Sequence, residues 1–96
     1  MYMEQVFPDG EWDEFEFESV GSIEQSPGRL HIIFDEREML FEVGGSCEYE
    51  SEDLLFYITT DRLLQLENII EIEYRLSDSH GRLISNNILK MEWELI

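Results

Sequence analysis

Strict two-residue alternation is the feature that most constrains this chain. In residues 11–20, EWDEFEFESV, an extended backbone puts Phe15 and Phe17 on one side and Glu14, Glu16 and Glu18 on the other. The same phase recurs three times. Cys47 and Tyr49 oppose Glu48 and Glu50, while Ile70, Ile72, Tyr74 and Leu76 oppose Glu71 and Glu73. Near the end, Leu89, Met91, Trp93 and Leu95 oppose Lys90, Glu92 and Glu94. Alternation of this kind is what an antiparallel sheet with one solvated face requires.

Turn signals cut the chain into short strands. PDG at 8–10, SPGR at 26–29, the polar DERE at 35–38 and SDSHGR at 77–82 all read as reversals. Pro27 and Gly28 suit the central positions of a type II turn. Gly44 and Gly45 read as a two-residue hairpin loop between MLFEV and SCEYE. LLFYITT at 54–60 reads as a buried strand, and Thr60 or Asp61 is placed to cap a short helix near 61–68. The last strand, 83–96, is expected to kink or bulge at Asn86 and Asn87.

These signals predict a mostly β, β-rich α+β domain: a twisted antiparallel meander or partly closed barrel of six to eight strands with one short helix. The alternative is one longer helix over 52–68. At 96 residues, 43% of them hydrophobic, the chain has material for a single modest core and an expected radius of gyration of roughly 12 to 13 Å.

Charge narrows the function classes. The chain carries 23 acids against 6 Lys and Arg, a formal net charge of −17. Direct binding to nucleic acid or to an anionic membrane would be opposed, since both reward basic patches. The opening MYMEQVFPDG shows neither a basic nor an apolar run, so no signal peptide is expected. No stretch approaches the roughly 20 apolar residues of a membrane span. Cys47 is the sole cysteine, which excludes an intramolecular disulfide and makes a reducing cytoplasm the expected compartment.

Motifs for chemistry are thin. Asp78, Ser79 and His80 adjoin in a polar turn, whereas a catalytic triad needs spatial assembly. His31 alternates with Leu30 and Ile32, as a half-buried strand residue does. Cys47 and two distant histidines make no zinc pattern, and Cys47 among glutamates is expected to have a raised pKa. Asp35, Glu36 and Glu38, or Glu50, Glu52 and Asp53, lack the order of a calcium loop. Paired carboxylates meet the spacing of glycoside hydrolysis trivially, and without a pocket that spacing carries nothing. No phosphate loop is present in the sequence. No enzyme activity, cofactor or metal is therefore expected.

What remains is the polar face. Seventeen of the 23 acids are Glu, and four separate strands place them at consecutive outward positions. Like charges opposite one another destabilise a sheet, and Thr, Ser or mixed pairs would cost less. A face built this way offers a basic protein dense, regularly placed negative charge. Trp12 shares the outward phase of Glu14, Glu16 and Glu18, where an exposed indole can stack on a partner's cation; the competing reading tucks it under a loop. Trp93 shares the apolar phase and is expected in the core.

In size and composition the chain resembles small acidic inhibitor proteins: phage-encoded DNA mimics, anti-CRISPR and anti-restriction proteins, and immunity proteins of nuclease toxins. This likeness rests on no motif and assigns neither fold nor residues. It implies a non-enzymatic protein that occludes the nucleic-acid-binding surface of a basic partner, such as a nuclease. The candidate contact set is Trp12, Glu14, Glu16, Glu18, Glu48, Glu50, Glu71, Glu73, Glu92 and Glu94. Two alternatives stand beside it. In one, the chain is an assembly subunit, homo- or hetero-oligomeric, contacting through LLFYI at 54–58 while its acids keep it soluble. In the other it is a small enzyme or ligand-binding barrel, which requires a pocket. Adaptation to high salt fits poorly with the large Ile, Leu and Phe content.

Overall fold

The computed structural model describes residues 2–16, 22–34 and 37–92. These form nine strands: β1 (Tyr2–Val6), β2 (Trp12–Glu16), β3 (Ser22–Ser26), β4 (Arg29–Phe34), β5 (Arg37–Glu42), β6 (Ser46–Ser51), β7 (Leu54–Gln65), β8 (Ile69–Asp78) and β9 (Leu83–Glu92). They build a six-stranded sheet in the order β2-β1-β9-β8-β7-β6 and a three-stranded sheet in the order β3-β4-β5. Every strand pair is antiparallel, and neither sheet closes into a barrel.

The small sheet covers one face of the large one. Leu30, Ile32, Met39 and Phe41 from the small sheet meet Met3, Tyr49, Ile58, Ile70, Ile72, Tyr74, Leu89 and Met91 from the large one in a single buried cluster. Phe41 packs edge-on to Tyr74 with ring centroids 5.0 Å apart, a favourable aromatic geometry. Gln65 ties the layers at one end, its Nε2 donating to the carbonyls of Ser26 and Arg29 at 3.2 and 3.3 Å. The Cα radius of gyration is 13.1 Å, as expected for this length. Truncating a fully buried Ile72 to Ala should cost about 2–5 kcal/mol.

The mostly β, antiparallel character follows the alternation, but several expectations are overturned. No helix occurs at 61–68 or over 52–68. Instead 54–65 is one strand, paired with β8 on both sides of a bulge at Asp61. The bulge advances the phase by one residue, so Leu63 packs on the core opposite Ile72 although LLFYITT and DRLLQ do not alternate in step. Pairing with a buried neighbour strand outweighs the helix propensity of a Leu-rich segment. The meander is also interrupted. Gly44 and Gly45 do not join a hairpin: they carry the chain from the small sheet to the large one, with Val43 bridging Thr60 and Gly44 at φ 78°. In β9 the irregularity lies between Leu83 and Ser85, not at Asn86 and Asn87, which pair regularly with Arg75 and Tyr74.

Other turns form where expected. Ser26 pairs with Arg29 around Gly28 at φ 74°. Asp78 closes the β8–β9 turn, its Oδ1 accepting the backbone N–H groups of His80 and Arg82, both at 2.9 Å. Those bonds, that from Arg82 foremost, hold its carboxyl below the usual range. The β4–β5 hairpin closes at Phe34 opposite Arg37, whereas Asp35 and Glu36 lie outside the described residues.

Candidate protein-binding face

The large sheet's second face carries no covering layer among the described residues, and the strand register sets its composition. Partners across a ladder share a face, so three successive outward rows can be read directly. One row runs Glu16, Tyr2, Lys90, Glu71, Leu64. The next runs Glu14, Glu4, Ile88, Glu73, Arg62, and the third runs Trp12, Val6, Asn86, Arg75, Thr59. Thus β2, β8 and β9, whose alternation stands out in the sequence, belong to one sheet and turn their glutamates to one side.

Of the expected residues, Trp12, Glu14, Glu16, Glu71, Glu73 and Glu92 come together here. Trp12 is 60% exposed and does not tuck under a loop. Glu48 and Glu50 share the face but sit on β6 at the far edge, opposite Tyr57 and Leu55. Glu18, Glu94 and Trp93 lie outside the described residues. Tyr2, Glu4, Val6, Asp61 and Ile88 complete the face and are absent from the expected set. The alternation in YMEQV would have found Tyr2, Glu4 and Val6; the bulge that presents Asp61 leaves no clear mark in sequence.

The face is not a uniform grid of carboxylates. Glu14 stands opposite Glu4, a repulsive pairing that Tyr2 bridges, its hydroxyl donating to Glu14 at 2.7 Å and to Glu4 at 3.5 Å. The short bond to Glu14, chiefly, pushes the Tyr2 phenol up to about 12. Arg62 lies 3.9 Å from Glu71 and 3.8 Å from Glu73. Arg75 grips Asp61 through two hydrogen bonds, and Lys90 is interposed between Tyr2 and Glu71. Three of the chain's six cations therefore sit among these acids, and the acids still outnumber them.

A depression of about 290 Å³ opens in the middle of this face, lined by Glu4, Val6, Asp61, Glu73, Asn86 and Ile88, with Tyr74 and Asn87 contributing. Its lining combines the aliphatic Val6 and Ile88 with the acids Glu4, Asp61 and Glu73. A larger hollow of about 420 Å³ lies on the small sheet beside Glu24, Arg29, His31 and Leu40. There Glu24 and Glu38 flank His31 at 3.7 and 3.3 Å, and Glu42 lies 3.7 Å from Arg29.

Among the described residues no group of three or more His, Cys, Asp or Glu side chains converges as a metal site. Nor is any helix there long and apolar enough to cross a membrane. Burial pushes the Cys47 thiol up, with the Glu42 carboxylate adding to the shift and Arg29 opposing it. The Asp78 carboxylate is engaged by its own turn. Comparison with protein-family models, with curated proteins and with solved structures finds no match to this chain.

Proposed function

We propose that this chain is a non-enzymatic binding protein that docks on the basic, nucleic-acid-binding surface of a partner protein and occludes it. One observation carries the reading: the register gathers carboxylates from β1, β2, β8 and β9 onto a single sheet face that no other layer covers among the described residues. A rigid sheet holds them at fixed spacing, about 6.5–7 Å along a strand and about 4.8 Å between strands. Such a face steers a basic partner at long range and competes with a phosphate backbone for the same lysines and arginines. Trp12 and Val6, adjacent across β2 and β1, supply an apolar contact that charge alone lacks.

The test is capture of partners by the tagged protein from the source organism's lysate, washed across a salt series, with identification by mass spectrometry. Retention of a basic nucleic-acid enzyme that salt and competing DNA displace supports the reading. A folded Glu14→Lys/Glu16→Lys variant should lose that partner; equal retention removes this ladder from the interface.

A second reading, an assembly subunit, is favoured by one observation: β2 is an edge strand of the large sheet, and all five of its residues are exposed. The segment 54–58 is less suited to the role, because Ile58 is fully buried and Leu54 alone of the five is largely exposed. Concentration-dependent self-association that persists at high salt would support this alternative.

A further inference from the structure

We infer that the depression at the centre of the acidic face seats an arginine side chain of the partner, its guanidinium held between Glu4 and Glu73 above Val6 and Ile88. This rests on the basic-partner reading and makes it specific. Glu4 and Glu73 stand in one row on either side of Ile88, two strand spacings apart, which is roughly 10 Å between backbones. Two glutamate arms can close that gap onto one planar cation from opposite sides.

Their carboxylates retain acceptor capacity. Among the described residues Glu4 receives a long hydrogen bond of 3.5 Å from Tyr2, and Glu73 pairs loosely with Arg62 at 3.8 Å, its 42% exposed side chain keeping acceptor positions open. Asp61, the third acid of the hollow, is committed to Arg75 at 3.0 and 2.9 Å, so it shapes the wall rather than competing for the guest.

Arginine suits the site better than lysine for two reasons. The lining includes Val6 and Ile88, and a guanidinium gives up water more readily than an ammonium. Its fork delivers two parallel hydrogen bonds to a carboxylate, where lysine offers a point charge.

The probes are two capped peptides, Gly-Arg-Gly-Arg-Gly-Arg-Gly and its lysine counterpart, with a glycine–serine peptide of the same length as neutral reference. Affinities at low salt would be read by Trp fluorescence and calorimetry on the full chain. The arginine peptide should bind at least about five-fold more tightly than the lysine peptide. A Glu4→Gln/Glu73→Gln variant should erase that ratio. Glu24→Gln/Glu38→Gln, which removes the same charge from the small sheet, should keep it. Backbone amide shifts of the unmodified chain, which need no variant to fold, should move most around Val6 and Ile88. Equal affinities, a ratio that survives Glu4→Gln/Glu73→Gln, or shifts centred elsewhere would overturn the arginine seat and leave the basic-partner reading standing. Binding of neither cationic peptide above the neutral reference would overturn both.

Discussion

Arg75 on β8 holds Asp61, the extra residue of the β7 bulge, through hydrogen bonds of 3.0 and 2.9 Å. The contact pins the point at which β7 changes phase, and with it the placement of Arg62 outward and Leu63 inward. Both side chains are about half exposed, so solvent screening limits its strength. A double-mutant cycle with Asp61→Ala and Arg75→Ala should give a coupling of about 0.5–1 kcal/mol from urea denaturation, at the upper end for surface pairs because the geometry is bidentate. Zero coupling would mean that the β7–β8 ladder alone maintains the bulge.

Three polar side chains on the covered face of the large sheet find no hydrogen-bond partner among the described residues: Thr60 Oγ1, Ser85 Oγ and both amide atoms of Asn87. Ser85 is fully buried opposite Leu76, which lies opposite Ile58. A buried hydroxyl without a partner is a net cost. Ser85→Ala should therefore raise stability by about 1 kcal/mol, and the isosteric Thr60→Val should act in the same direction. Thermal and urea unfolding measure both. A loss of stability instead would show that the hydroxyl finds a partner in solution, such as an ordered water.

Much of the fold was legible because alternation records burial directly. Ile70, Ile72, Tyr74, Leu89 and Met91 are buried, and Tyr49 packs inward while Glu48 and Glu50 stay outside. The candidate face was legible residue by residue, since period-two phase reveals orientation, but its assembly was not. Which strands adjoin depends on pairing between distant segments: β1 lies beside β9, joining the two ends of the chain. No local pattern encodes that choice. For the same reason the alternation places Lys90 outward without showing Glu71 beside it, and no local pattern marks Arg62 and Arg75 as neighbours of the acids. The helix expected at 61–68 failed because a single bulge residue breaks the alternation that marks a strand. The Gly44–Gly45 hairpin failed because a flexible pair serves a crossover between sheets as readily as a tight turn.

The turn between β6 and β7 has no glycine at all. Ser51 pairs with Leu54, and the two residues between them, Glu52 and Asp53, hold φ values of 51° and 66°. Positive φ at both central positions is the signature of a type I′ turn, which favours Asn-Gly. A left-handed conformation strains Glu more than Asp, whose short polar arm tolerates it. Glu52→Asn/Asp53→Gly should therefore stabilise the chain by about 1 kcal/mol. The same change removes two acids from a chain of net charge −17, which would itself relieve repulsion. Salt separates the causes, because at 1 M the Debye length is about 3 Å and surface repulsion is largely screened. A gain that persists at 1 M salt is conformational and supports the strained turn. If the gain vanishes there, or if Glu52→Gln reproduces it, the turn residues are comfortable as they stand and charge was the whole effect.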